Sequence, residues 1–233
     1  DWNISRQIAW GIPIPAFQNI DDSDDWIYNE HVDQEVIEIV IDAAKGRVPI
    51  IAGTGSNSTR EAIDMTKKAA DAGANATLQV SPYYNRPSQE GIIAHFKKIA
   101  EASDLPIIIY NIPLRTGRNV EPKTILKLRR EVPNIIGLKD ACNDNFQLEE
   151  IIKATKGANK PFYVLAGEDR NTYSTLCLGG HGGISAVAHI IGEEYLKMYN
   201  LMLEKKDKNY QYNALAIHYN TLEVVKNLFM EPN

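Results

Sequence analysis

Short apolar runs alternate with longer amphipathic stretches along most of this chain. Apolar runs rich in β-branched residues predict six strands, at residues 48–52, 76–80, 106–111, 135–139, 162–166 and 183–187. Runs that are apolar throughout are typical of strands buried on both faces, and strands separated by helical segments are typical of a parallel sheet. The pattern therefore predicts an α/β fold built from repeated βα units.

The helical segments begin at recognisable residues. Ser58 and Ser88 each precede an amphipathic stretch, and a serine there can accept a hydrogen bond from a free backbone N–H group of the first turn. Pro122 suits the first position of another helix, where no N–H group is required. Apolar residues at three- and four-residue spacing predict further helices at residues 33–45, 192–205 and 207–229.

Six consecutive βα units fit two architectures, an open doubly wound sheet and most of a closed eight-stranded barrel, and periodicity does not separate them. Residues 1–33 have a different character, because three of the first 26 residues are tryptophan and residues 21–25 are mostly acidic. Within them, residues 8–15 fit only an edge strand, since the run contains two prolines. We therefore predict an N-terminal segment, residues 1–33, followed by one domain, residues 34–233.

Composition narrows the range of functions. The net charge is −5 and no basic face is apparent, which argues against a nucleic-acid partner. No apolar stretch is long enough to cross a bilayer, so no membrane association is expected. Cys142 and Cys177 cannot form a disulfide framework, which favours a reducing cytoplasm. The five histidines are scattered without metal-ligand spacing, so no metal site is expected.

Polar residues at the carboxyl ends of the predicted strands are the candidates for chemistry, because the catalytic groups of a parallel barrel gather there. Lys139 ends an apolar strand, where partial desolvation would lower its pKa and leave its amine free to attack a carbonyl carbon. Tyr110, at the end of the preceding strand, can relay protons, and Arg115 in the next loop can hold a carboxylate. A lysine extending to solvent, a tyrosine packed in the barrel wall and a surface arginine are the structural alternatives.

Six short motifs in chain order resemble those of the pyruvate-dependent class I aldolases, the family typified by dihydrodipicolinate synthase (4-hydroxy-tetrahydrodipicolinate synthase) and N-acetylneuraminate lyase. They are IAGTG (51–55), PYYN (82–85), YNIPLRTG (110–117), GLKD (137–140), LAGED (165–169) and GGHGGIS (179–185). The resemblance covers about residues 34–233 and implies a TIM (β/α)8-type barrel with additional C-terminal helices. The six predicted strands then correspond to barrel strands 3 to 8, and the barrel is incomplete, with its first βαβ unit missing or replaced.

The resemblance also implies roles for individual residues. Lys139 corresponds to the lysine that forms a Schiff base with pyruvate, Tyr110 to the tyrosine that relays protons, and Arg115 to the residue that binds the carboxylate of the second substrate. Tyr84 matches the tyrosine that completes the relay of a neighbouring subunit, which implies a homo-oligomer, and we expect a homotetramer. No separate cofactor is implied, since the lysine holds the keto acid covalently.

Two further groups of residues match binding positions of this family. Gly167 and Ile184 match positions that line the pyruvate pocket, Ile184 through its backbone. Asn57, Glu61 and Tyr83 match positions of the site at which lysine inhibits family members by feedback.

The implied activity is that of a cytoplasmic lyase that condenses pyruvate with aspartate semialdehyde to 4-hydroxy-tetrahydrodipicolinate, in the diaminopimelate route to lysine. The sequence Arg115-Thr116-Gly117 favours this synthase, because its aldehyde substrate carries a carboxylate. A related aldolase that acts on 2-keto-3-deoxy sugar acids is one alternative. The other is an inactive fragment, because the family's Gly-Thr-Thr-Gly-Glu motif, which binds the carboxylate of pyruvate, does not occur in this chain.

Residues 1–30 resemble a different family, the class I aminoacyl-tRNA synthetases of the valine, isoleucine and leucine group. The similar segments are DWNISRQ (1–7) and WGIPIP (10–15). Neither ATP-binding signature of that class is included, so the resemblance does not imply aminoacylation. It implies a chimeric or truncated reading frame, joined between residues 29 and 35.

Overall fold

The computed structural model describes residues 16–18, 26–28, 32–157 and 159–230. Near the N-terminus, strands β1 (Ala16–Gln18) and β2 (Trp26–Tyr28) pair antiparallel as a two-stranded sheet. The larger sheet has six parallel strands, each hydrogen-bonded to the next one along the chain. They are β3 (Ile51–Gly53), β4 (Ala76–Val80), β5 (Ile107–Asn111), β6 (Ile135–Asp140), β7 (Tyr163–Ala166) and β8 (Gly182–Gly183).

Helices follow the strands in the predicted alternation. They are α1 (Val32–Ala44), α2 (Thr59–Asp71), α3 (Gln89–Ala100), α4 (Pro113–Thr116), α5 (Pro122–Glu131), α6 (Asn145–Thr155), α7 (Thr172–Leu178), α8 (Ala188–Glu204) and α9 (Tyr210–Leu228). The two predicted serine caps are confirmed, since Ser58 accepts the backbone N–H of Glu61 and Ser88 accepts that of Gly91. Pro122 opens α5, as predicted. No helix in the described parts of the chain is long and apolar enough to span a membrane.

The strand order decides between the two predicted architectures. A doubly wound sheet reverses its strand order at a switch point, whereas β3 to β8 follow one another without reversal. An unbroken parallel series of this kind is the wall of a TIM barrel. Within the described residues, β3 and β8 are the two edges of the sheet, which agrees with the prediction of an incomplete barrel.

Two predicted strands are too long. The first is predicted at residues 48–52, but the strand is Ile51–Gly53, and Val48 before it is 59% exposed. The last is predicted at residues 183–187, but only Gly182–Gly183 pairs as a strand. The chain leaves the sheet there because the backbone N–H of Ala186 donates to the Asp169 carboxylate instead of to a neighbouring strand.

The remaining predictions of strands and helices have mixed outcomes. The predicted edge strand at residues 8–15 lies outside the described residues. Helix α1 agrees with the prediction for residues 33–45 within a residue at each end. Helix α8 starts four residues before the predicted start at 192, and its backbone departs from helical angles at Ile191. The division into residues 1–33 and 34–233 stays a prediction.

The main core lies between the sheet and the helices that cover it. Large side chains from α3, α5 and α6 pack against the apolar strands β5 and β6, and many of them are fully buried: Ile92, Phe96, Ile99, Ile107, Ile109, Ile125, Leu128, Ile135, Leu138 and Ile151. Each fully buried Ile or Leu stabilises the fold by about 1.5–3 kcal/mol. A second core forms around Tyr195 and Met198 of α8, against α9. Two apolar layers therefore hold the carboxyl ends of β5 to β8 in place.

Candidate active site

Lys139 and Tyr110 lie side by side at the carboxyl ends of two neighbouring strands. The register of the parallel pair sets Tyr110 of β5 directly opposite Lys139 of β6. Paired residues of adjacent strands project from the same face of a sheet. The Nζ atom of Lys139 accordingly lies 3.9 Å from the centroid of the Tyr110 ring. The two residues that the sequence pattern selected separately are thus brought into contact.

Burial changes the acidity of both groups. Loss of hydration lowers the pKa of Lys139 to about 8, although the negative charge of Asp169 partly opposes the shift. Loss of hydration also raises the pKa of Tyr110 to about 12, an effect that the Arg115 charge moderates and the charges of Glu168 and Asp169 reinforce. Near neutral pH the amine therefore has an appreciable uncharged fraction, while the phenol keeps its proton.

Gly167 and Ile184 lie directly after the ends of the neighbouring strands β7 and β8. The N–H of Gly167 donates to the Asp140 carbonyl oxygen at 2.7 Å, and a Cβ atom on Gly167 would lie 3.0 Å from Cγ of Lys139. The glycine therefore lets the chain pass close to the lysine stem. The N–H of Ile184 donates to the Ala166 carbonyl oxygen at 2.9 Å, so any backbone interaction of Ile184 with a ligand would use its carbonyl group.

Arg115 and Tyr84 are more exposed than Lys139 and Tyr110. Arg115 is exposed in the short helix α4, close enough for its charge to act on Tyr110. Tyr84 is 79% exposed, has a backbone φ of 69°, and makes no hydrogen bond or ring contact with another described residue. A large side chain in the left-handed region is uncommon. The structure thus places Arg115 within electrostatic reach of Tyr110 and shows no contact of Tyr84 with Lys139 or Tyr110.

The residues predicted for lysine feedback gather in a second place, at the loop after β3. Ser56 connects them: its hydroxyl donates to Glu61 Oε2 at 2.9 Å and also hydrogen-bonds Tyr83. Burial raises the pKa of Tyr83, and the Ser56 and Asn57 hydrogen bonds moderate that rise. The carbonyl oxygen of Asn57 accepts a hydrogen bond from Asn85. Ser56 is a member of this cluster that sequence reasoning missed, because a serine in a glycine-rich loop carries no distinctive signal.

Comparison with known proteins identifies the family. A model of the family described as "Dihydrodipicolinate synthetase family" matches residues 27–233. The chain belongs to this family. The prediction of a pyruvate-dependent class I aldolase of the dihydrodipicolinate synthase type is therefore confirmed at the level of the family, and the matched region begins seven residues before the predicted boundary at 34.

Three members show the extent of the similarity. A protein of Methanocaldococcus jannaschii named 4-hydroxy-tetrahydrodipicolinate synthase is 41% identical over 232 residues, which are 99% of this chain and 76% of that protein. The dihydrodipicolinate synthase structure of Cyanidioschyzon merolae with lysine bound is 40% identical, with a TM-score of 0.81. That of Acinetobacter baumannii complexed with pyruvate is 40% identical, with a TM-score of 0.79. Each structural match covers 86% of this chain and 66% of the other, so the chain spans about two thirds of those enzymes.

The same matches correct the interpretation of the N-terminus. The M. jannaschii relative aligns along 99% of the chain, and a relative from Methanopyrus kandleri is 42% identical over 233 residues. Both alignments run through nearly all of residues 1–30. The proposed resemblance of that segment to aminoacyl-tRNA synthetases, and the chimeric reading frame inferred from it, therefore receive no support.

A polar network lies on the face of β6 opposite Lys139. Asn111 Nδ2 donates to Asp140 Oδ1 at 3.0 Å and to Asn119 Oδ1 at 2.9 Å, and Cys142 Sγ donates to Asp140 Oδ2 at 3.0 Å. Asn111 Oδ1 accepts the N–H of Val120. The network thereby anchors the far end of the loop that carries Arg115. Sequence reasoning missed it, because Asn111 and Asp140 were included in motifs only as neighbours of Tyr110 and Lys139.

Cys142 and His95 are each held by hydrogen bonds in a desolvated part of the fold. Burial and the neighbouring Asp140 carboxylate raise the pKa of Cys142 to about 12, so its thiol is not poised as a nucleophile. His95 is buried in α3, where its Nδ1 hydrogen-bonds Thr59 at 2.9 Å and loss of hydration lowers its pKa to about 4. No group of three or more His, Cys, Asp or Glu side chains among the described residues is arranged to hold a metal ion.

Proposed function

We propose that this chain carries the Schiff-base site of a 4-hydroxy-tetrahydrodipicolinate synthase, a lyase in which Lys139 attacks the keto carbonyl carbon of pyruvate. The observation that carries the proposal is the Lys139 amine, half-buried 3.9 Å from the Tyr110 ring with its pKa lowered to about 8. Such an amine is a competent nucleophile near neutral pH, unlike a hydrated lysine. The A. baumannii structure complexed with pyruvate supports the choice of keto acid.

The chemistry uses the chain's own groups and no separate cofactor. The uncharged Nζ of Lys139 adds to C2 of pyruvate, and loss of one water molecule with uptake of one proton leaves an iminium cation. Departure of a proton from C3 gives a neutral enamine, whose C3 then forms a bond to the aldehyde carbon of aspartate semialdehyde. The carbonyl π bond of the aldehyde breaks, its oxygen takes up a proton, and the lysine nitrogen returns to the iminium form. Attack of the semialdehyde's amine on C2 then displaces Lys139 as the free amine. Tyr110 is the group placed to carry these protons, because its raised pKa keeps the phenol protonated between steps.

Arg115 is proposed to select the second substrate. Its guanidinium can hold the carboxylate of aspartate semialdehyde through two parallel hydrogen bonds, and it is exposed at the rim of the pocket. Gly167 and Ile184 are proposed to form the wall against pyruvate, since Gly167 approaches the Lys139 stem and Ile184 continues the adjacent strand.

Tyr84 is proposed to act in a neighbouring subunit of a homotetramer. The side chain is 79% exposed and its backbone has a positive φ, a sparsely populated conformation of the kind that clusters at functional sites.

The proposed synthase activity implies a cytoplasmic enzyme of lysine biosynthesis. Asn57, Glu61 and Tyr83 are proposed to bind lysine as an inhibitor, and the lysine-bound C. merolae structure supports this role.

Trapping with borohydride tests the Schiff base directly. We expect pyruvate and borohydride to leave a stable pyruvate-sized adduct on the peptide that contains Lys139, and none in the Lys139→Ala variant. Lys160 provides an internal control, because burial also lowers its pKa although its amine donates to backbone carbonyl oxygens. An adduct distributed over several lysines, or no adduct on a folded sample, contradicts the proposal and favours an inactive fragment.

Arg115→Ala separates the synthase from the sugar-acid aldolase. If the aldehyde substrate carries a carboxylate, the variant should raise KM for aspartate semialdehyde by about tenfold to a hundredfold while the KM for pyruvate changes little. Steady-state kinetics with each substrate varied in turn measures both. Equal changes in the two KM values, together with cleavage of 2-keto-3-deoxy sugar acids, would favour the related aldolase.

A further inference from the structure

The carboxylate of Asp169 is buried beside the Lys139 pocket without a full set of partners. Asp169 is 4% exposed in the 3-10 turn Asp169–Asn171 that follows β7. Its Oδ2 accepts the N–H of Ala186 at 3.2 Å, whereas its Oδ1 is buried and has no hydrogen-bond partner among the described residues. A buried carboxylate is ordinarily paired with a cation or fully hydrogen-bonded. This one is neither, which points to a role other than packing.

The turn that carries Asp169 is held firmly against Lys139. On one side, Gly167 donates its N–H to the Asp140 carbonyl oxygen and lies in contact with the Lys139 stem. On the other side, the hydroxyl of Tyr195 donates to the backbone carbonyl oxygen of Asp169 at 3.1 Å. Tyr195 is itself 1% exposed in the second core. The position of the carboxylate is therefore set by packed elements on both sides and does not depend on a mobile side chain.

Lys139 is the cationic group on which the Asp169 charge acts. Within the described residues, no ion pair includes Asp169, and Arg170 approaches Glu168 instead, at 3.9 Å. The Asp169 charge acts on Lys139, raising the pKa of that amine against the effect of burial. The Asp169 charge also acts on Tyr110, Tyr195 and Tyr199, which burial keeps protonated, and Arg115 and Glu168 are the other charged groups that act on Tyr110.

We propose that Asp169 is a positioning residue whose fixed negative charge balances the positive charge on Nζ of Lys139, both in the free ammonium and in the iminium cation. The part that concerns the iminium rests on the function proposed above. Asp169 does not act as a base or touch the reacting atoms. It favours the charged forms of the lysine nitrogen, and it ties the start of α8 to the end of β7 through the Ala186 N–H.

The first experiment measures the protonation of Lys139 without any substrate. Competitive acylation with acetic anhydride over a pH series, read by peptide mass spectrometry, gives the midpoint at which Lys139 loses its proton. We expect Asp169→Asn to lower that midpoint by about one pH unit. The amide keeps an oxygen for the Ala186 N–H, and Asp169→Ser is a second neutral variant if the amide variant fails to fold.

Two controls separate charge from shape. Glu168→Gln removes the adjacent, less buried charge and should leave the Lys139 midpoint unchanged. Tyr195→Phe removes the hydrogen bond that positions the Asp169 turn while keeping the carboxylate charge, and it should shift the midpoint much less than Asp169→Asn. An unchanged midpoint in a folded neutral variant overturns the proposal, as does an equal shift in Tyr195→Phe.

The second experiment repeats the pyruvate and borohydride trapping in the same variants at pH 7. Asp169→Asn should trap about tenfold less adduct at limiting pyruvate, even though its Lys139 amine is less protonated, because the iminium loses its balancing charge. A structural defect alone would not lower the midpoint and the adduct yield together in this way. If the wild-type chain traps no pyruvate, the proposed function fails, while the acylation midpoints still decide whether Asp169 balances Lys139.

Discussion

Lys139 and Asp140 are adjacent residues of β6 whose side chains enter opposite environments. The Lys139 amine lies against the Tyr110 ring, where Nζ makes no hydrogen bond to a described residue. The Asp140 carboxylate faces the helices, where Asn111 and Cys142 donate to its two oxygens. Both groups are largely desolvated, yet only the lysine is chemically available. A buried charged group with hydrogen-bond partners stabilises structure, whereas one with few partners keeps its reactivity.

The largest expected effect comes from removing the amine. Lys139→Met should reduce condensation of pyruvate with aspartate semialdehyde by a factor on the order of 10³ or more, because no other group can form the covalent intermediate. The coupled or direct assay of product formation measures this. Lys160→Met is the matched control: it removes an amine whose pKa burial also lowers, and it should lower stability through the lost bonds to Arg129 and Val132 while activity remains. Equal losses of activity in Lys139→Met and Lys160→Met would contradict the assignment of Lys139 as the lysine that forms the covalent intermediate.

Asp140→Ala should affect stability. The variant leaves the buried Asn111 amide without one of its acceptors and the Cys142 thiol without its acceptor, so the free energy of unfolding should fall by about 2 kcal/mol. Urea unfolding followed by circular dichroism measures the change. Asp104→Ala, at an exposed aspartate, should change the free energy of unfolding by no more than about 0.5 kcal/mol. Comparable values for the two variants would show that the Asp140 network does not stabilise the fold.

The last expected effect is a dependence of stability on pH. The pKa of Lys139 is about 8 in the folded protein and 10.5 in a hydrated lysine, so between these values the unfolded chain binds more protons than the folded one. Linkage then makes the wild-type protein more stable as pH rises from 8 to 10.5, a gain that Lys139→Met lacks. The variant should therefore be the more stable protein below pH 8, and its lead should shrink above that pH. If the free energy of unfolding changed with pH in the same way in the wild-type protein and in Lys139→Met, the lowered pKa of Lys139 would be contradicted.

Much of the fold follows from local pattern. Five of the six predicted strands overlap the observed ones by two or more residues, because apolar β-branched runs can be buried only inside a covered sheet. The helix caps predicted at Ser58 and Ser88 are observed, because capping is a contact within one helical turn. The last strand was overestimated at residues 183–187, since the contact that ends it comes from Asp169, fourteen or more residues earlier in the chain.

Some residues of the candidate site could be identified from the sequence and others could not. Lys139 and Tyr110 could be selected from the sequence, because each ends an apolar strand and the carboxyl ends of parallel strands share one edge. Asp169 and Ser56 could not, since an acidic residue or a serine in a loop is ordinary until its burial and partners are known. The role of Tyr84 stays a prediction, because its exposed side chain meets none of the described site residues.

The sequence by itself determined the succession of βα units, the starts of the helices that follow Ser58 and Ser88, and the family, since these depend on side-chain periodicity, caps and short motifs. The tertiary structure decided the strand order, the contact between Lys139 and Tyr110, and the neighbouring charges that oppose or reinforce each pKa shift. These properties depend on which distant segments exclude water from a group and which charges they place beside it. The burial of Asp169 next to Lys139 is the clearest case, because β7 and β8 come together there only in the folded chain.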